Sequence, residues 1–146
     1  MKYKILSFLL LAISSLHNPV YADEKNLVIE DAWIAEAPPV SKVMVAYMTI
    51  KNTGSTAIEI IRAESDMYSS IEFHETVHED GMARMVRYDS LTISANSKLE
   101  LKRGGPHLML FNPVKTLKAG DSVTIKLLTK DNLTSSVSIP VIKAQY

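Results

Sequence analysis

The sequence predicts an all-β protein that forms one domain, either a sandwich or a Greek-key barrel. Short runs rich in β-branched and aromatic residues follow one another at regular spacing, and turn residues separate them. No long stretch repeats its apolar residues at the helical period of 3.6. Short strands joined in this way pack as two layers or close into a barrel. The absence of an internal repeat, a low-complexity segment or a linker favours a single domain.

Nine segments have the composition of strands. In chain order they are Val28–Ala35, Lys42–Asn52, Ala57–Ala63, Ser69–His78, Met82–Tyr88, Lys98–Lys102, His107–Phe111, Ser122–Thr129 and Ser135–Ile142. Each is rich in residues that fit a pleated, half-buried surface. Glycine, proline, asparagine and aspartate mark the turns between them. The turn signals are Pro38-Pro39, Asn52-Thr53-Gly54, Asp80-Gly81, Gly104-Gly105-Pro106, Ala119-Gly120-Asp121 and Asp131-Asn132.

The Asp-Gly pair at 80–81 predicts a β-hairpin with a two-residue type I′ turn. This loop length places His74 opposite Arg87 and diagonal to Met85, on the same face of the hairpin. Met82 then points to the opposite face. A register slip of one residue would exchange Met85 and Met82, so the turn decides which methionine accompanies His74.

Residues 1–22 have the features of a secretory signal peptide. Two lysines precede the apolar run Ile5–Ile13, and a small-residue cleavage signal ends at Ala22. A membrane anchor is the weaker interpretation, because a spanning helix needs about 20 apolar residues. We expect cleavage after Ala22 and a folded domain over residues 23–146, with no membrane span.

Composition narrows the possible partners. Cleavage after Ala22 would leave 14 basic and 16 acidic residues, a net charge of −2 with histidine neutral. No basic stripe is present, which makes nucleic acid and anionic lipid poor partners. The chain has no cysteine, so an exported domain would depend on packing rather than on disulfides.

Two histidines and two methionines form a candidate metal site. They are His74, Met85, His107 and Met109. Ten residues lie between His74 and Met85, twenty-one between Met85 and His107, and one between His107 and Met109. Thioether sulfur is soft and neutral, so it favours Cu(I) over Zn²⁺, Mg²⁺ or Ca²⁺. Residues two apart in a strand face the same side, as the last two would. A single buried methionine is usually a core residue, which is the role predicted for Met44, Met48 and Met67.

Residues 74–78 also match HExxH, the zinc-protease motif. That motif needs a helix, because residues four apart in a strand lie about 13 Å apart and cannot bind one ion. The segment has β-forming residues and ends at a turn, so we reject this interpretation. His78 is expected to be solvent-exposed beside the turn, or to assist the site, and Glu75 to face away from it.

The spacing His-x10-Met-x21-His-x-Met resembles the signature of the periplasmic CuA-site copper chaperones, the PCuAC family. The matching segments are His74-Glu75-Thr76, Ala46-Tyr47-Met48, Gly104-Gly105, Met109-Leu110 and Leu117-x-x-Gly120-Asp121. The resemblance implies a cupredoxin-like β-sandwich without enzymatic activity. It further implies a periplasmic protein that binds one Cu(I) through His74, Met85, His107 and Met109. We expect a monomer, although no residue pattern decides the oligomeric state. The implied acceptors are subunit II of cytochrome oxidase or a thioredoxin-like assembly factor.

Other classes fit less well. A blue-copper electron carrier needs a cysteine thiolate, and the chain has none. A copper monooxygenase with an N-terminal histidine brace would need histidine where Asp23 is expected to begin the mature chain. The remaining alternative is a β-sandwich binding or adhesion module in which these histidines and methionines are structural.

The large aromatic residues are predicted to fill the core of the sandwich or its ends. They are Trp33, Tyr47, Phe73 and Phe111. Trp33 could instead lie at a surface where an acceptor docks.

Overall fold

The structure is a computed structural model that describes residues 22–23 and 25–144. The predicted signal peptide lies outside these residues except for Ala22. The strands are β1 (Ala22–Asp23), β2 (Leu27–Ala35), β3 (Val43–Asn52), β4 (Ile58–Glu64), β5 (Tyr68–Glu79), β6 (Met82–Tyr88), β7 (Leu91–Ile93), β8 (Ser97–Leu101), β9 (Pro106–Pro113), β10 (Ser122–Thr129) and β11 (Leu133–Ile142). No helix occurs within the described residues, and accordingly none that could span a membrane.

All nine predicted strands are confirmed, and their ends agree with the prediction to within two residues. The two additional strands, β1 and β7, have only two and three residues. Segments this short show no alternation that a pattern could reveal.

The strands form two sheets. The front sheet has the order β6-β5-β9-β3-β2, with β8 pairing the second half of β3, and the back sheet has the order β11-β10-β4-β7, with β1 beside β11. The end of β11 pairs in parallel with β2 and joins the two sheets. The chain changes sheets six times: between β1 and β2, β3 and β4, β4 and β5, β6 and β7, β7 and β8, and β9 and β10. These crossings make the predicted all-β sandwich, which is confirmed.

One hydrophobic core lies between the sheets, and strict alternation in the front sheet decides which side chains enter it. In β3 every second residue is buried, including Met44 and Met48, while the residues between them face outward. Leu108 and Leu110 of β9 are also fully buried. Met67 is partly buried against the core. The predicted core role of these three methionines is therefore confirmed.

The prediction for the aromatic residues is confirmed only for Phe73, which is 4% exposed in the core. It is wrong for Tyr47 and Phe111, which are partly buried on the outer face of the front sheet. Trp33 is partly buried on the same face, which agrees with its alternative position at a surface and not with the core. Tyr47 follows Ala46, which is fully buried, so alternation turns the tyrosine outward. Trp33 pairs with Tyr47 across β2 and β3 and shares that face. Large aromatic residues are usually buried, but the alternation of side chains along each strand places these three on the outer face.

The β5–β6 hairpin has the predicted register. Asp80 and Gly81 both have positive φ, at 51° and 76°, as a type I′ turn requires. His74 is paired with Arg87, and Met85 with Thr76, the neighbour of His74 on the same face. The turn therefore places Met85 beside His74 and Met82 on the opposite face.

We expect Gly81→Ala to lower the free energy of unfolding by about 1–2 kcal/mol, because an L-residue is strained at positive φ. A Cβ at Gly81 would have no atom within 4 Å, so the loss would come from the backbone alone. Urea denaturation would measure it. Gly105→Ala is the control, since that glycine lacks positive φ and its Cβ would meet only ordinary contacts. Equal losses in both variants would contradict the turn assignment.

Candidate metal centre

Three adjacent strands bring the four predicted ligands to the outer face of the front sheet. His74 of β5 is paired directly with His107 of β9, and their ring centroids are 6.2 Å apart. Met109 lies two residues beyond His107 and faces the same side. Met85 lies diagonal to His74 on the other neighbouring strand. The structure thus brings together all four residues that the sequence singled out.

The four residues differ in their exposure to solvent. His107 is only 5% exposed, and the His74 side chain is 14% exposed. Met109 is partly buried, whereas Met85 is 52% exposed. One side of the cluster is therefore closed by protein, and the other side opens to solvent.

The turn before β9 fixes the orientation of His107. The carbonyl oxygen of Gly105 accepts a hydrogen bond from His107 Nδ1 at 2.9 Å, and it also accepts one from the backbone NH of Thr76 at 3.2 Å. Gly104 adopts φ 73°, and the Gly105 NH donates to Lys102, which closes the turn. Because a carbonyl can only accept, Nδ1 carries the proton and Nε2 of His107 carries the lone pair.

His74 is held by a carboxylate. Its Nε2 lies 2.8 Å from Oε2 of Glu72, two residues earlier on the same strand. The other ring nitrogen, Nδ1, is buried and has no hydrogen-bond partner. An unsatisfied buried polar atom costs about 1–3 kcal/mol, and an atom of this kind in a folded protein needs an explanation. A bound metal ion would give Nδ1 a partner.

The donor set fits a soft monovalent ion. Two imidazole nitrogens with available lone pairs lie beside two thioethers, all of them neutral. Within the described residues, no group of three or more histidine, aspartate or glutamate side chains could hold a metal.

Aromatic rings line the buried side of the cluster. Tyr47 lies 6.4 Å from His107 by ring centroids, and Trp33 lies 4.7 Å from Tyr47. The guanidinium of Arg103 covers Trp33 at 5.4 Å from its ring centroid. Burial raises the pKa of Tyr47, and the positive charge and hydrogen bond of Arg103 act in the opposite direction. Phe111 closes another side, 6.5 Å from His74. Tyr47 and Phe111 thus pack beside the two histidine rings.

Alternation along β5 decides the positions of the remaining candidate residues, His78 and Glu75. His74 and His78 belong to β5, so rejecting the zinc-protease motif was correct. His78 is exposed on the site face, as expected. Glu75 points to the opposite face, where it accepts a hydrogen bond from Tyr88 Oη at 2.8 Å and raises the pKa of that phenol.

Two features of the centre were missed in the sequence. Glu72 is separated from His74 by one residue, so alternation alone could have placed it on the site face. The contact of Arg103 with Trp33 has no local signal, because it joins two distant parts of the chain.

The comparisons with known proteins decide the family. A family model described as "Putative lipoprotein LpqE-like" matches residues 27–141. The chain belongs to the LpqE-like family. A relative from Leifsonia xyli subsp. xyli, described as "Putative lipoprotein Lxx21020", is 36% identical over 114 residues, or 77% of this chain and 68% of the relative. The uncharacterized protein RP573 of Rickettsia prowazekii is 33% identical over 65% of this chain, and the match spans only 53% of that protein.

This LpqE-like protein is also similar to several solved structures. The Cu(I) form of DR1885 from Deinococcus radiodurans is 33% identical, with a TM-score of 0.65 over 90% of this chain and 83% of that one. The copper-bound PCuAC domain of PmoF2 has a TM-score of 0.69 over 85% of this chain and 97% of that one. At 19% identity the PmoF2 match shows the fold alone. The cupredoxin-like fold is confirmed. The expectation of a non-enzymatic protein agrees with the family and with these neighbours.

We expect His74→Leu to leave the metal-free LpqE-like protein at least as stable as the wild type. The substitution removes the unsatisfied Nδ1 and keeps a side chain of similar volume, while Arg87 remains near Glu72. Urea denaturation would test this expectation. Leu108→Ala, which empties the core under the same strand, should cost about 2–5 kcal/mol and serves as the comparison. A loss above about 1 kcal/mol for His74→Leu would contradict this expectation and would show that the Glu72 contact outweighs the cost of the unpartnered nitrogen.

Proposed function

We propose that this protein binds one Cu(I) ion and carries it to an acceptor protein. The proposed ligands are His74, Met85, His107 and Met109. The observation that carries the proposal is the buried, unpartnered Nδ1 of His74, which lies on the same sheet face as the other three donors.

The chemistry of the donors favours Cu(I). This ion is satisfied by three or four soft or borderline ligands, and it imposes no strong geometry. Thioethers need no deprotonation and cannot be lost to a disulfide in an oxidising compartment. The likeness to the Cu(I) form of DR1885, at 33% identity, supports the same metal.

The exposure of the ligands favours a carrier over a permanent copper centre. Met85 is 52% exposed and belongs to β6, the edge strand of the front sheet. An incoming acceptor ligand can therefore reach the ion while the buried histidines still hold it. With neutral ligands only, the site retains copper by donor matching and can release it to an acceptor that offers thiolates.

We place the protein in the periplasm, as a monomer that begins at Asp23 after cleavage of residues 1–22. The family description as a lipoprotein supports a location in the cell envelope. The sequence has no cysteine, so none of its residues can carry a lipid through a thioether. We propose the CuA site of cytochrome oxidase subunit II, or a thioredoxin-like assembly factor, as the acceptor.

The competing function is a β-sandwich binding module without metal. Its support is that single methionines and histidines are common structural residues. It predicts that the four proposed ligands are independent of one another. The two experiments that follow separate this module from a copper carrier.

We expect residues 23–146 to take up one Cu(I) in an anaerobic titration against a chromophoric chelator. Met85→Leu and Met109→Leu should each weaken binding at least tenfold, because they remove a sulfur donor. Both substitutions conserve volume and should cost less than about 1.5 kcal/mol of stability.

Met82→Leu is the matched control for this titration. Met82 is 70% exposed on the same strand as Met85, but on its opposite face, so its loss should leave the affinity unchanged. Equal weakening by Met82→Leu and Met85→Leu would overturn the ligand assignment. Failure of the wild type to compete with the chelator would overturn the proposed function.

We also expect Cu(I) to raise the melting temperature. A ligand held at about 100 times its Kd stabilises the folded state by about 2.7 kcal/mol, which corresponds to roughly 5–15 °C for a domain of this size. Differential scanning calorimetry with buffered Cu(I) would measure the shift. The double variant Met85→Leu, Met109→Leu should show a much smaller shift, whereas a metal-free binding module would show none in either protein.

A further inference from the structure

We infer that Glu72 is a positioning residue that makes His74 present Nδ1 to the metal, while the facing His107 presents Nε2. This inference rests on the proposed Cu(I) site and adds the atoms through which the two histidines would bind. The juxtaposition that carries it is the short contact from Glu72 to His74 together with the orphaned nitrogen on the other side of the ring.

The contact between Glu72 and His74 determines which ring nitrogen of His74 carries the proton. An ionised carboxylate can only accept hydrogen bonds, so the 2.8 Å contact between Glu72 Oε2 and His74 requires the proton on Nε2. In the neutral ring the lone pair must then be on Nδ1, the atom that is buried without a partner. A metal ligand needs this lone pair, and a histidine that binds metal commonly donates its other NH to a carboxylate.

His107 has the opposite arrangement. Its Nδ1 donates to the carbonyl of Gly105 at 2.9 Å, so its lone pair is on Nε2. The two rings face each other across paired strands, with an interplanar angle of 29°. One histidine is therefore fixed by a side chain and the other by the backbone, and they offer different nitrogens.

Arg87 forms an ion pair with Glu72. Its Nη1 lies 3.5 Å from Oε1 of Glu72, the oxygen that does not contact His74. Arg87 is also the residue paired with His74 across the hairpin. With both oxygens engaged, Glu72 acts on the metal through His74 and is not itself a ligand. The four proposed ligands are neutral and do not compensate the charge of a bound Cu(I). The negative charge of Glu72 would lie near the ion, separated from it by the ring of His74.

The experiment compares long-range ¹H–¹⁵N spectra of the histidine rings in the metal-free protein, near pH 8, which is well above the pKa of a histidine in a model peptide. In the wild type we expect His74 to carry its proton on Nε2 and His107 on Nδ1. Glu72→Ala should turn His74 into a mixture of tautomers and leave His107 unchanged. Glu72→Gln, whose amide oxygen can still accept the hydrogen bond, should restore the single tautomer.

Glu75→Ala is the matched control, because Glu75 lies in the same strand, next to His74, and contacts Tyr88 on the other face. It should leave both tautomers unchanged. In Cu(I) titrations, Glu72→Ala should weaken binding by about 10–100-fold, the usual effect of losing such a partner, and Glu75→Ala should not. On Cu(I) binding, the ¹⁵N resonance of His74 Nδ1 should shift while Nε2 stays protonated.

A single Nε2-H tautomer of His74 in Glu72→Ala, or binding of Cu(I) through Nε2 of His74, would overturn the inference. Absence of Cu(I) binding by the wild type would overturn the proposed function instead. The tautomer comparison in the metal-free protein would still decide whether Glu72 positions the ring, so the two failures are distinguishable.

Discussion

The simultaneous register of β5 with its two neighbours is the constraint on which the centre depends. β6 pairs along one edge of β5 and β9 along the other, and both pairings must have the same parity for their donors to share a face. A slip of one residue along β6 would replace Met85 by a residue of the opposite face. A slip along β9 would turn the fully buried Leu108 outward and His107 into the core. The apolar core of the sandwich therefore specifies the register of β9, because a slip there exposes Leu108. No residue of β6 is buried, so the Asp80-Gly81 turn rather than the core specifies the position of Met85.

The same alternation separates the two uses of methionine in this chain. Met44 and Met48 are at most 4% exposed and fill the core, whereas Met85 and Met109 lie on the outer face. The proposed ligands can thus change without emptying the core, and the core can be repacked without removing a ligand. The cost of the centre is local and falls on the unpartnered nitrogen of His74.

The part of the centre that lies within the β5–β6 hairpin could be predicted from the sequence. An Asp-Gly turn fixes the β5–β6 register over a loop of two residues, so the neighbourhood of His74 and Met85 could be derived directly. The pairing of His74 with His107 joins residues more than thirty positions apart, and no turn specifies it. The shared donor chemistry of the four residues and the spacing resemblance to a known family suggested that contact. Burial of the aromatic residues was misjudged for a related reason, because residue type does not reveal which face of a strand is inside. Strand alternation also places Glu72 on the same face as His74, so the contact between them could have been predicted from the sequence.

Under the proposed function, the asymmetric burial of the donors implies an order of ligand exchange. His107 is enclosed by an aromatic ring and a backbone turn, and it cannot leave the ion without disturbing both. Met85 has half of its surface in solvent, and its side chain bends at low cost. An acceptor ligand would therefore displace the thioether of Met85 first, and the buried histidine would be the last donor to release copper. Such an order avoids a free ion at every step, because the acceptor already holds copper before the protein lets it go. The exposed position of Met85, which would be a weakness in a permanent copper centre, is what a transfer site requires.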